Sequence, residues 1–106
     1  MENQFAVVLT TCSNESDAKI IIDALLKKHL AACIQLFPIN SYYIWKGDIC
    51  NDSEVALLIK CNNQNYSEIE ATIVEKHNYE LPEIIALPIH GGFEGYLNWI
   101  DEMCKK

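Results

Sequence analysis

Arginine is absent from this sequence. All eight basic residues of the 106 are lysines, set against fifteen aspartates and glutamates, and the net charge is −7. Without a guanidinium, nothing can fork onto a phosphate or a guanine edge. The acidic balance repels nucleic acid and anionic membrane, so neither is expected as a partner, and a metal ion or another cation is the easier one. Glycine is sparse, with four residues, and none forms a phosphate-binding loop. A Gly-x-Ser-x-Gly elbow and a His-Glu-x-x-His helix are also missing. Cys33 and His77 could be imagined as a nucleophile and base, but no local motif supports the pair. The expectation is a protein that is not an enzyme and carries no organic cofactor.

Further absences concern compartment. No apolar run reaches the roughly 18 residues that a membrane helix needs. The first residues, Met1-Glu2-Asn3-Gln4, lack the basic stretch of a secretion signal. The five cysteines, an odd number, are widely spaced and contain no Cys-x-x-Cys, which argues against a disulfide framework and a closed zinc site. The Asn-x-Ser triplets at Asn14, Asn51 and Asn65 then read as chance. These features point to a reducing, cytoplasmic setting.

What is present is a mixed pattern of strand and helix within one domain spanning 1–106. Phe5 to Leu9 is an apolar run of strand length. Asn14 can cap a helix, with Asp17 three residues on. Ala18, Ile22, Leu25, Leu26 and His29 follow at helical spacing, and the helix should end near His29. A strand opens at Ala31 to Ile34, with Pro38 marking a bulge or an edge position. The β-prone stretch Tyr42 to Trp45, a turn at Lys46-Gly47-Asp48 and a return from Ile49 to Cys61 predict one long hairpin with an aromatic tip. Tyr66, Ile69, Ile73 and His77 mark a second helix, with Asn78 as its left-handed stop. Glu83 to Ile89 is a strand, and Phe93, Leu97, Ile100 and Cys104 form a final helix. The order predicts an α+β fold, a ferredoxin-like βαββαβ antiparallel sheet with strand order 4-1-3-2 and an added C-terminal helix.

One feature of that sheet is unbalanced. Phe5 to Leu9 and Val55 to Ile59 are apolar at nearly every position, although the two main helices can cover only one face. The second face should therefore pack against further copies of the same chain.

The densest group of functional side chains is His77-Asn78-Tyr79-Glu80-Leu81-Pro82-Glu83. It holds a histidine, a phenol and two carboxylates at a helix-to-strand turn, and Pro82 stiffens Leu81. Two readings compete: a rigid turn whose histidine sits at a helix C-terminus, or a cation site, since imidazole and carboxylate both bind metals. Cys12 and Cys33 are either small buried hydrophobes or, if the fold brings them to His77, a soft site suited to copper or zinc. Trp45 with Tyr42 and Tyr43 is a stacking platform or a packing surface between subunits. Lys60, among apolar strand residues, needs a carboxylate such as Glu54 or one from a neighbouring subunit.

Taken in order, several segments resemble the CutA divalent-ion-tolerance family from Phe5 to Ile100. They include Val7-Val8-Leu9-Thr10-Thr11, Leu30-Ala31-Ala32-Cys33-Ile34, Tyr43-Ile44-Trp45-Lys46-Gly47 and His77 through Ile85. Tyr96-Leu97-Asn98-Trp99-Ile100 completes the series. The resemblance implies a homotrimer similar in architecture to PII signalling proteins, with sheets inward and helices outward, associated with metal tolerance and, in some members, with copper. Of the family's metal ligands it carries over His77 alone; Cys12, on the first strand, is the expected substitute for the family's cysteine, and Cys33 completes the expected metal set. The family's first-strand cysteine position reads Thr10 here, and the first of its two histidines reads Lys76. Cys33, Glu54, Lys60, Tyr79 and Glu83 match directly and are expected to line an intersubunit cleft. Two alternatives stay open: a PII-like sensor of a small metabolite, and a trimeric interaction module that binds no metal.

Overall fold

A computed structural model describes residues 3–106. Its elements run β1 (Phe5–Cys12), α1 (Glu15–Lys27), β2 (Cys33–Trp45), β3 (Asp48–Asn62), α2 (Tyr66–Lys76), β4 (Ile84–Pro88) and α3 (Glu94–Met103), with one 3-10 turn, Asn63–Asn65, leading into α2. The four strands form one antiparallel sheet in the order β2-β3-β1-β4. This is the predicted α+β, ferredoxin-like arrangement.

Alternation along β1 and β3 sorts the sheet into two faces. Val8 pairs with Ile59 and Thr10 with Leu57, and these side chains are fully buried under α1 and α2. The core there is built from Ala18, Ile21 and Leu25 of α1 and Ile69 and Ile73 of α2. Val7, Leu9 and Leu58 point the other way and are only half-buried. On the same open face Ile85 and Leu87 of β4 are 45% and 48% exposed. One face is a core and the other is apolar but uncovered.

The helix ends follow local chemistry. Asn14 accepts a hydrogen bond from the Asp17 N–H at 2.8 Å and so caps α1. The other end of α1 closes as a Schellman motif. His29 takes a left-handed φ of 56°, its N–H donates to the Leu26 carbonyl, and the Leu30 N–H donates to the Leu25 carbonyl. α1 thus stops at Lys27, and its inward face is Ala18, Ile21 and Leu25 with Ile22 at the flank. Leu26 is exposed, so the predicted stripe is turned by about one residue.

One further expectation is corrected and one is narrowed. Asn78 is not a left-handed stop, because α2 ends when His77 turns extended, with φ −76° and ψ 145°. Of the two readings of Pro38 the edge position holds, since β2 is an edge strand, and the bulge does not: Pro38 pairs with Val55 in unbroken register. The turn of the long hairpin has two residues, Lys46 and Gly47, with φ of 49° and 85°, and Trp45 faces Asp48 across it. Both positive φ values make this the I′ turn that matches strand twist.

Candidate functional site

The C-terminal end of β1, the start of α1 and the segment after α2 meet at one point. Cys12 is the last residue of β1 and faces the core. His77, by turning extended, swings its ring toward it, and the Cys12 Sγ lies 3.8 Å from His77 Nε2. The imidazole is held at both nitrogens. Tyr79 N–H donates to Nδ1 at 3.1 Å, and this fixes the proton on Nε2, which donates to the Thr11 carbonyl at 2.7 Å. A small cavity of about 100 Å³ beside the pair is lined by Cys12, Asp17, Lys76 and His77 among others. Asp17 is fixed there by the Asn78 amide, 3.2 Å from its carboxylate. Burial, helped by the carboxylates of Asp17 and Glu54, pushes the Cys12 thiol up to about 11.

Tyr79 connects this pair to the open face. Its ring packs against His77 with centroids 4.5 Å apart. Its hydroxyl donates to Glu54 Oε2 at 2.5 Å and accepts from Ser13 at 3.1 Å. Burial and the Glu54 bond raise the phenol to about 12. Beyond Glu54 lies an open groove of about 850 Å³, which also takes in Glu83 and reaches Tyr43 and Trp45 at the hairpin. Tyr43 donates to Asp52 within it.

Cys33 and Lys60 stand elsewhere. They pair directly across β2 and β3, whereas Cys12 pairs with Val55. The separation along β3 is five residues, about 17 Å. Within one chain Cys33 therefore does not join Cys12 and His77. Lys60 is not bonded to Glu54 either. Its ammonium reaches the Tyr96 hydroxyl at 3.4 Å and sits 5.4 Å from the centre of that ring. Glu54 and Lys60 share the open face at opposite ends of it. Among the described residues no three histidine, cysteine or acidic side chains converge on a point that could hold a metal ion. The sequence gives no sign of the site contacts made by Ser13, Asp17 and Asn78, because their partners lie more than 60 positions away. Tyr96 enters the sequence reading only within a segment of the family resemblance.

A family model described as CutA1 divalent ion tolerance protein matches residues 6–103. The chain belongs to the CutA1 family. It is 36% identical over 95 residues to the divalent-cation tolerance protein CutA of Archaeoglobus fulgidus, covering 90% of this chain and 93% of that one. It is 40% identical over 101 residues to mouse Protein CutA, covering 94% of this chain but only 57% of the mouse protein. Among solved structures, CutA1 from Shewanella sp. SIB1 superposes with a TM-score of 0.95 at 38% identity over the whole of both chains. The Archaeoglobus CutA, described as periplasmic, gives 0.91 at 34% identity over 93% of this chain and 97% of that one. The Archaeoglobus fulgidus and Thermus thermophilus relatives are named for tolerance of divalent cations and not for a catalysed reaction. Among the described residues no helix is long and apolar enough to cross a membrane.

Proposed function

We propose that this CutA1 chain acts as a homotrimeric metal-binding protein in divalent-ion tolerance, with copper as its ion and Cys12 and His77 as the donors it supplies. The observation that carries the reading is the 3.8 Å approach of a thiol to an imidazole across 65 residues of sequence. Sulfur and imidazole nitrogen are the donor types that favour copper over magnesium or calcium. The raised Cys12 thiol keeps its proton at neutral pH, so metal binding there releases a proton. The His77 ring gives up either the Thr11 carbonyl or the Tyr79 N–H to expose a nitrogen. Cys33 enters such a site only from a neighbouring copy.

The trimer is supported by the half-exposed apolar face of the sheet. In it, Glu54, Tyr79 and Glu83 lie at one end of the open face and Lys60 at the other, so a head-to-tail ring brings the lysine end of one copy to the acidic end of the next. That places the four side chains in a cleft between subunits. Anaerobic titration with Cu(I) and Cu(II) tests the metal reading. A Cys12→Ser or His77→Ala variant is expected to bind at least tenfold more weakly. Unchanged affinity in both would remove these residues from the site.

The groove beside Glu54 favours a second reading, a PII-like sensor of a small molecule. Its volume of about 850 Å³ falls in the range of small-molecule sites and is far larger than an ion needs.

A further inference from the structure

The imidazole of His77 offers two nitrogens, and the fold has committed both. Tyr79 N–H donates to Nδ1 at 3.1 Å, so Nδ1 holds a lone pair and no proton. The proton sits on Nε2 and is given to the Thr11 carbonyl at 2.7 Å. Nε2 is also the nitrogen that faces the Cys12 Sγ, 3.8 Å away. A ligand atom that acts together with Cys12 is therefore Nε2, and in the folded chain that atom has no lone pair to offer. For Nε2 to become a ligand, the ring exchanges tautomers. Nε2 gives its proton to water and Nδ1 takes one from water, so the ring stays neutral. Nδ1–H then points at the Tyr79 N–H, donor against donor, with no acceptor between them. The Tyr79 peptide must turn away.

Tyr79 is not free to turn. Its ring lies against His77, with centroids 4.5 Å apart, and its hydroxyl is tied to Glu54 at 2.5 Å and to Ser13 at 3.1 Å. The ring is rigid, so a turn of the peptide is carried to the hydroxyl. The bond to Glu54 is short and charge-assisted, and it is the costliest of these contacts to break. We propose that Tyr79 is a latch on the Cys12–His77 site: it holds His77 in the tautomer that does not bind a metal ion, and binding at Nε2 releases its hydroxyl from Glu54 at the edge of the groove. The proposal rests on the metal reading above and adds its regulation. By linkage, whatever strengthens the Tyr79–Glu54 bond weakens metal binding, and whatever takes Glu54 from Tyr79 strengthens it. Every bond named lies within one chain, so the latch works whether or not a neighbouring copy covers the groove.

Tyr79→Phe deletes the hydroxyl and keeps the ring and the N–H, so it separates a latch from a brace. As a latch, Tyr79 predicts that the variant binds Cu(I) about tenfold more tightly than the parent in anaerobic titration of the intact protein. As a brace that only steadies His77, it predicts weaker binding. Tyr66→Phe, which removes a similar phenol–carboxylate bond to Glu70, should bind within about twofold of the parent. Histidine nitrogen NMR gives a readout apart from affinity. The His77 signal, assigned with a His77→Gln variant, should show the proton on Nε2 in metal-free protein and on Nδ1 with Cu(I) bound. The proposal is overturned if Tyr79→Phe binds copper no more tightly than the parent, or if Tyr66→Phe tightens binding to the same degree. It is equally overturned if the metal-free ring carries its proton on Nδ1, or if the loaded ring keeps it on Nε2. Absence of copper binding in both the parent and Tyr79→Phe would defeat the metal reading and the latch together, whereas binding without the gain in affinity defeats the latch alone.

Discussion

Thr10 shows how a single side chain can sit at odds with its surroundings. It is fully buried between Leu57 and Ile84, and its hydroxyl has no hydrogen-bond partner. A buried unpaired hydroxyl costs roughly 1–3 kcal/mol. Thr10→Val keeps the shape and removes that group, so chemical denaturation should show a gain of about 1 kcal/mol. Cys61 makes the opposite point. Burial pushes its thiol from the ordinary 9.0 to about 12, and the thiol points at the Ala6 carbonyl, 3.6 Å away. Above pH 9 the unfolded chain has lost a proton that the native thiol still holds. The contribution is complete below pH 9 and is lost as pH climbs toward 12. Denaturation midpoints should be flat from pH 7 to 8 and fall above 9, and Cys61→Ala should flatten that fall. The sequence placed Cys61 at the end of a strand without deciding between core and surface, and it named Cys12 and His77 as partners if the fold allowed. It could not give the tautomer of His77, because that depends on the Thr11 carbonyl and the Tyr79 N–H, both fixed only once β1 and α2 are packed.

At the scale of elements, patterning was informative where one residue type decides the backbone. Asn14 declared a helix start, and Lys46-Gly47 declared a turn. The end of α1 was less legible, since His29 both continues the 3.6-residue spacing and takes the left-handed position. Histidine is a costly occupant there, and glycine adopts that φ freely. His29→Gly should therefore raise stability by about 0.5–1 kcal/mol in a thermal melt, with α1 unchanged by circular dichroism. The end of α2 was misread for a related reason. Asn78 is the residue that commonly stops a helix, but the bonds available to an extended His77 stopped it one position earlier. The failed pairing of Lys60 with Glu54 belongs at this scale too. Both lie on the open face, as alternation predicts, but six residues of strand separate them by roughly 20 Å.

For the whole molecule, the uncovered face governs behaviour. Ile85 and Leu87 remain nearly half exposed, and on the same face Phe37, Tyr43 and Trp45 are 40%, 39% and 37% exposed. Surface of that kind, contiguous over a few hundred Å2, is unusual on a monomer. Burying it contributes on the order of 25 cal/mol per Å2 before the cost of association. Light scattering at micromolar concentration should report about three times the 12.1 kDa chain mass. Leu87→Asp, on the edge strand of that face, should lower the mass toward one chain while leaving the far-ultraviolet spectrum intact. A monomeric parent would remove the intersubunit cleft and leave the Cys12–His77 pair untouched.

The position of β1 between β3 and β4 also sets an order in time. Its first residues pair with Asn62 on one side and Pro88 on the other, so the strand made first has no partner until most of the chain exists. The hairpin of β2 and β3 needs only its two-residue turn and forms on the timescale of local contacts. β1 must then close a loop of more than forty residues, and β4 must close one still longer. Until that closure, the apolar side chains of β1 stand in water on both faces. Refolding should accordingly show an early hairpin signal from Trp45 and a slower phase as β1 is inserted. During synthesis, the same delay makes β1 the segment that a chaperone would hold.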